Sequence, residues 1–132
     1  MKSNQETVIN VLSDLAKDKK LGGIQIGLFG SYARNEQTNV SDIDVVLKGT
    51  KPLLLIYDGI EDTVQTFIKV QLGLECDIVD YADLEVDYEE AKELGIEEFT
   101  LKPVIDREAI WINIKDRYRN TQKDFEASRG FK

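Results

Sequence analysis

Apolar and polar residues alternate along three short stretches of this chain, and such alternation predicts β-strands. The stretches are residues 24–29 (IQIGLF), 42–48 (DIDVVLK) and 74–81 (LECDIVDY). Successive side chains of a strand point to opposite faces, so Ile43, Val45 and Leu47 are predicted to face the core. Asp42 and Asp44 then share the opposite face of the second strand.

Apolar residues that recur every three or four positions predict helices between these strands. Four helices are predicted. The first runs from the capping box at Ser3 to Glu6 as far as Lys17 or Lys20, before Gly22 and Gly23; the others are a short helix starting at residues 30–34, residues 52–73, and the acidic segment 87–95. A last core element is expected over residues 103–114. Because helices and strands interleave, the predicted class is α/β (α+β), with a small mixed sheet flanked by helices.

Composition narrows the class of protein. At 132 residues the chain fits one domain, predicted over residues 1–114, followed by a charged tail over 115–132. Apolar residues make up 42% of the chain, yet no apolar run is long enough for a membrane span, and the polar N-terminus does not resemble a signal peptide. We therefore expect a cytoplasmic protein with no membrane partner.

Several chemistries are excluded by the residues that are missing. The chain has no histidine and a single cysteine, Cys76, which rules out zinc sites, Ser-His mechanisms and a disulfide framework. Cys76 itself is expected to be a buried strand residue. The net charge of −8 argues against extended nucleic-acid binding. The remaining metal ligands are carboxylates, which favour Mg²⁺ or Mn²⁺.

Asp42 and Asp44 form a carboxylate pair on one strand face, where a shared divalent cation would offset their repulsion. Gly30 and Ser31 stand where a strand turns into a helix, so that free backbone N–H groups converge on one spot suited to a phosphate. Arg34 can add a guanidinium to the same anion. Each feature alone is more often a turn or a solvated surface, but together they predict a phosphoryl or nucleotidyl transfer site.

Residues 30–49 (GSYARNEQTNVSDIDVVLKG) closely resemble the signature of the nucleotidyltransferase superfamily that includes DNA polymerase beta and the kanamycin nucleotidyltransferases. The spacing is that of its small branch, the minimal nucleotidyltransferases. A weaker similarity continues through the third strand and the segment PVIDREAIWIN. One departure is Asn35, where glycine is usual in the family, although asparagine tolerates a left-handed backbone.

The resemblance implies a polymerase beta palm-like fold and a set of site residues. Gly30, Ser31, Arg34 and Ser41 would bind the nucleotide, and Asp42 and Asp44 would hold two Mg²⁺ ions, with Mn²⁺ as an alternative. Asp77, on the polar face of the third strand, matches the family's third carboxylate, a metal ligand or base. Glu75 and Asp80 are the competing candidates for that third role.

The resemblance also implies a partner. Minimal nucleotidyltransferases are commonly antitoxins paired with a small helical HEPN-domain toxin, and members transfer AMP from ATP to a tyrosine hydroxyl of that toxin. Two alternatives stay open: an antitoxin that only binds and masks its partner, and an enzyme that modifies a small molecule such as an aminoglycoside. A homodimer could complete the pocket that the last alternative needs.

Overall fold

One four-stranded sheet organises the structure, a computed structural model that describes residues 4–50 and 59–112. Its strands are β1 (Gln25–Phe29), β2 (Ile43–Lys48), β3 (Cys76–Asp80) and β4 (Ile110–Ile112), in the order β3-β2-β1-β4. Strand β1 runs antiparallel to both β2 and β4, whereas β2 and β3 are parallel. The sheet is therefore mixed, as predicted.

Helices connect the strands and cover both faces of the sheet. They are α1 (Gln5–Leu15), α2 (Gly30–Ala33), α3 (Ile60–Leu72), α4 (Tyr81–Glu93) and α5 (Leu101–Glu108), with short 3₁₀ turns at Lys19–Leu21 and Glu97–Phe99. The predicted α/β class, with helices flanking a small mixed sheet, is confirmed.

The larger core lies between the sheet and helices α1 and α3. Ile43, Val45 and Leu47 of β2 are fully buried there, as the strand parity predicts. They pack with apolar residues that recur every three or four positions on the two helices, among them Leu12 and Ile68. This packing fixes the register of β2, because a slip of one residue would turn its aliphatic side chains out of the core.

A smaller core lies on the opposite face, under α4 and α5. It is formed by Phe29, Val46, Tyr81, Leu84 and Ile105. The Tyr81 hydroxyl donates a hydrogen bond to Asp106 at 2.6 Å, which joins the start of α4 to α5. Val46 is fully buried beneath these helices, whereas Asp77, near the start of β3, is exposed. On this face the helices thus leave Asp77 exposed and Asp44 only half-buried.

Strand β3 is shorter than the predicted 74–81, and the boundaries of α1 and α4 also differ from the sequence prediction. The cap of α1 is Asn4, whose side chain accepts from the Thr7 amide at 2.8 Å, rather than the predicted Ser3. Helix α1 ends at Leu15, short of the predicted Lys17 to Lys20. Helix α4 begins at Tyr81, well before residue 87, because the Asp80 side chain accepts from the Ala82 amide and caps it.

The predicted last element, residues 103–114, is also divided in the structure. Its first part belongs to α5, which begins at Leu101, and its apolar run forms β4 after a break at Ala109. Pro103 lies in the first turn of α5, where a proline disrupts no helical hydrogen bond. The strand exists because β1 offers a second edge, with Ile26 opposite Ile112.

Two predicted segments lie outside the described residues. They are the first part of the helix predicted over residues 52–73 and the charged tail at 115–132. Within the ranges that are described, none of the helices combines the length and the apolar character that a membrane crossing needs.

Cys76 should be unreactive in the folded protein. It is buried at the start of β3, and burial, helped by the nearby Asp77, raises the pKa of its thiol to about 12. Almost no thiolate is therefore present between pH 7 and pH 9, and the thiolate is the reactive form. We expect a thiol-specific reagent to label Cys76 only after denaturant is added. Rapid labelling of the native protein at pH 8 would contradict this burial.

Candidate active site

Strand β1 meets helix α2 at Gly30, and this junction faces the carboxylate-bearing end of β2. Gly30 has φ +73°, a left-handed conformation that favours glycine. A Cβ atom placed there would overlap Oδ2 of Asp44 and lie 3.0 Å from its Cγ. Glycine is thus required twice, for its backbone conformation and for the space that the Asp44 carboxylate occupies.

Asp44 stands at the centre of a group of three aspartates. In the sheet register it lies opposite Phe29 of β1 on one side and Asp77 of β3 on the other. Neighbouring strands are about 4.8 Å apart, so Asp44 and Asp77 are adjacent on one face. Asp42 precedes the first residue of β2 by one position and is exposed, as is Asp77. The structure therefore brings the three predicted carboxylates to one edge of the sheet.

The neighbouring carboxylates and partial burial change the pKa of Asp44. Its pKa is raised above the ordinary aspartate value because its half-buried position disfavours the charge and because Asp77 and Asp42 repel it. Arg34 opposes this shift, and Glu108 adds to it. A raised carboxylate pKa of this origin marks a place where a positive charge would be bound favourably.

Arg34 and Ser41 have contacts that the sequence did not predict. Arg34 Nε donates to Glu36 at 3.1 Å, and Arg34 Nη1 donates to both carboxylate oxygens of Glu108 at 3.2 Å. The Ser41 hydroxyl accepts from the Thr38 amide at 2.8 Å and so closes the loop before Asp42. Both residues border the edge of the site, but in this structure each is engaged with the protein itself.

Asn35 adopts the left-handed conformation that its position requires, with φ +59°. It is the residue at which the sequence departs from the family pattern. Asparagine is one of the few residues other than glycine that enter this region at modest cost. The turn after α2 is therefore formed without glycine, and Arg34 stays beside Gly30.

The two competitors for the role of Asp77 point elsewhere. The Asp80 side chain caps helix α4, and strand parity places it on the opposite face from Asp77. Glu75 precedes β3 and pairs with Lys69 at 2.7 Å on the exposed surface. Of the three acidic residues, only Asp77 is in register with Asp44.

Glu108 lies at the site and was missed by the sequence reasoning. It is the last residue of α5, and its Oε1 accepts from the Gly30 N–H at 3.0 Å. The contact joins residues 78 positions apart in the chain. No local spacing predicts such a contact. The available signal was the weak similarity of the segment PVIDREAIWIN, which contains Glu108 but assigns it no role.

The donor set of the site suits a hard divalent cation. Across residues 4–50 and 59–112, no three Asp, Glu or Cys side chains converge closely enough to hold an ion. The backbone nevertheless places Asp42, Asp44 and Asp77 on one face, and the exposed side chains of Asp42 and Asp77 have room to rotate inward. Carboxylate oxygens are the ligands that Mg²⁺ prefers. The residues therefore fit Mg²⁺ by type and position.

A glycine turn opening a helix, set against paired carboxylates on an adjacent strand, is the arrangement of the nucleotidyltransferases. The family model described as a nucleotidyltransferase domain matches residues 8–112. The chain belongs to this family.

Two curated relatives come from Methanocaldococcus jannaschii. The protein named "Putative protein adenylyltransferase MJ0126" is 55% identical over 50 residues, which cover 37% of this chain and 51% of that protein. "Putative protein adenylyltransferase MJ0128" is 42% identical over 55 residues, covering 41% and 52%. The chain spans about half the length of the curated relatives it matches.

Solved structures with the same fold come from toxin–antitoxin systems. A mutant form of the toxin–antitoxin MntA–HpeT matches with a TM-score of 0.51 and 16% identity, over 97% of this chain and 94% of that chain. A toxin–antitoxin with AMP-PNP matches with a TM-score of 0.51, 17% identity and the same coverage. At these identities the likeness shows the fold alone.

Proposed function

We propose that this protein transfers AMP from ATP to a hydroxyl group, and that the acceptor is a tyrosine of a HEPN-type toxin for which it is the antitoxin. The observation that carries the proposal is the packing of Gly30 against Asp44. It joins the start of α2, where phosphates would bind, to the strand whose carboxylates would hold the metal. Phosphoryl chemistry needs these two elements side by side.

Asp42, Asp44 and Asp77 would hold Mg²⁺, with Mn²⁺ as a substitute. When bound, the metal would neutralise charge on the phosphates and lower the pKa of the incoming hydroxyl. The raised pKa of Asp44 supports this assignment, because the unfavourable crowding of carboxylates would be relieved by a cation. The crowding costs the folded protein stability, so it is explained more readily by a binding site than by packing.

The remaining site residues bind the nucleotide and handle the proton. Ser31 lies in α2, and its amide and hydroxyl can donate to the terminal phosphates. In the reaction the acceptor oxygen forms a bond to the α-phosphorus, and the bond from that phosphorus to pyrophosphate breaks. The hydroxyl proton passes to a carboxylate or to water, because the chain has no histidine. Asp77, exposed at the open edge, is the carboxylate proposed for this proton.

The choice of a protein acceptor is supported by the relatives. Both matched proteins from M. jannaschii are named protein adenylyltransferases, and the structural neighbours are toxin–antitoxin systems. The HEPN identity of the partner rests on the sequence resemblance. The cytoplasmic location expected from the composition and the polar N-terminus would give access to ATP.

Nucleotide binding should depend on the metal. ATP and the three aspartates are both anionic, so they repel each other unless a cation lies between them. Calorimetry should detect ATP binding in Mg²⁺ and much weaker binding in EDTA. Mn²⁺ should replace Mg²⁺, because both take oxygen ligands. Equal affinity in EDTA and in Mg²⁺ would contradict the proposed metal role of the aspartates.

A further inference from the structure

Glu108 connects two elements that are distant in sequence. It ends helix α5, with only Ala109 between it and β4, and its carboxylate reaches the beginning of α2. There it accepts from the Gly30 N–H at 3.0 Å and from Arg34 Nη1 at 3.2 Å through each oxygen. Gly30 is thus fixed from two sides, by Glu108 at its amide and by the Asp44 carboxylate against its α-carbon.

Arg34 pairs with two glutamates that differ in their exposure to solvent. The Glu36 side chain is 61% exposed, whereas the Glu108 side chain is 18% exposed. Exposed ion pairs are screened by water and contribute little, so Glu108 is the partner that fixes the guanidinium. A guanidinium carries five N–H groups in a rigid fork. Held through Nε and Nη1, it still has the N–H groups of Nη2 for another anion.

We propose that Glu108 is a positioning residue for the nucleotide: it orients Arg34 and the Gly30 turn so that both are ready to receive the phosphates. The inference rests on the proposed function, and it adds a role for a residue outside the family signature. Glu108 would not touch the substrate. Its effect would pass through the Arg34 side chain and through the backbone at the start of α2.

The contacts favour a positioning role for Glu108. The alternative is that Glu108 is a placeholder, a carboxylate that occupies the phosphate site until ATP binds. A placeholder would have to leave when ATP binds, which would break its contacts to both Gly30 and Arg34. Glu108 is instead held at the end of α5, one residue away from β4, and β4 is paired with β1. Its charge is offset by Arg34 in the same contact. If Glu108 positions Arg34, removal of the Glu108 charge should weaken ATP binding. If Glu108 is a placeholder, removal of that charge should strengthen ATP binding.

The test compares Glu108→Gln with Glu36→Gln. Glutamine at 108 can still accept from the Gly30 amide but loses the ion pair with Arg34, whereas Glu36→Gln removes the exposed partner of the same guanidinium. By calorimetry in Mg²⁺, Glu108→Gln should raise the Kd for ATP roughly tenfold, the loss typical of a carboxylate that orients a binding residue without touching the ligand. Glu36→Gln should leave the Kd for ATP unchanged. Glu108→Ala, which also loses the contact to Gly30, should weaken binding further.

Steady-state kinetics distinguish a positioning role of Glu108 from a purely structural one. With the co-purified partner as acceptor, Glu108→Gln should raise the KM for ATP and keep kcat, and in an Arg34→Ala background the Glu108→Gln effect should disappear. Unchanged ATP affinity in Glu108→Gln would overturn the inference, and tighter binding would show a competing placeholder instead. If the wild-type protein binds no ATP in Mg²⁺, the proposed function itself fails, which is a different result.

Discussion

Replacing both Asp42 and Asp44 with asparagine is expected to abolish AMP transfer and leave the fold intact. Asparagine keeps the size of each side chain but removes the charges that would hold the metal. Removing a single pre-organised electrostatic group commonly costs about 10²- to 10³-fold in rate, so the double variant should lose at least that much. The measurement is the transfer of label from α-³²P-ATP to the partner, with Glu75→Gln as the matched control on an exposed carboxylate outside the site.

The same variant provides its own check on folding. The folded-state pKa of Asp44 is raised, so the stability linked to its protonation is present at low pH and is lost as the pH rises through that pKa. Near pH 7 the charge on Asp44 therefore destabilises the metal-free protein. Asp42→Asn/Asp44→Asn should melt in EDTA at the wild-type temperature or above it. A markedly lower melting temperature would mean that these carboxylates serve the fold rather than the chemistry.

Gly30→Ala is expected to remove both stability and activity. The backbone at this position is left-handed, and the added methyl group would occupy the space of the Asp44 carboxylate. Strained backbone of this kind costs on the order of 1–3 kcal/mol, before any displacement of Asp44 is counted. Thermal unfolding should show the loss of stability, and labelled ATP should show the loss of transfer.

Gly95→Ala is the control that separates backbone strain from the contact with Asp44. Gly95 has φ +71°, close to that of Gly30, but apart from its two chain neighbours no atom of the described residues lies within 4 Å of its added Cβ. This variant should therefore show the backbone strain alone and keep full activity. If Gly30→Ala and Gly95→Ala behave alike in the transfer assay, the contact between Gly30 and Asp44 has no part in the reaction.

Strand parity is the reason that much of the site could be predicted from the sequence. Once Ile43, Val45 and Leu47 are assigned to the core, the faces of Asp42 and Asp44 follow without a structure. The same reasoning at β3 separates Asp77 from Asp80. That β2 and β3 are parallel neighbours in this register was not predictable from either strand alone, because it depends on the crossover through α3.

The features that escaped prediction depend on contacts between distant residues. Glu108 acts at Gly30 because β4 pairs with β1 and delivers the end of α5 to that position. The early start of α4 depends on Asp80, which is both the last residue of β3 and the N-cap of α4. The sequence pattern at Asp80 is compatible with either role. The contacts of Arg34 with two carboxylates likewise became visible only in three dimensions. Local patterns identify faces and turns, but tertiary contacts decide which groups meet.

The most direct test of the proposed transfer is the intact mass of the partner protein. This protein should be co-purified with the proposed HEPN-type toxin and incubated with ATP and Mg²⁺. We expect the partner to gain the mass of one or more AMP units on a tyrosine, and we expect Asp42→Asn/Asp44→Asn to prevent the addition. A partner that is bound and neutralised with no change in mass would contradict AMP transfer and would show an antitoxin that acts by masking alone.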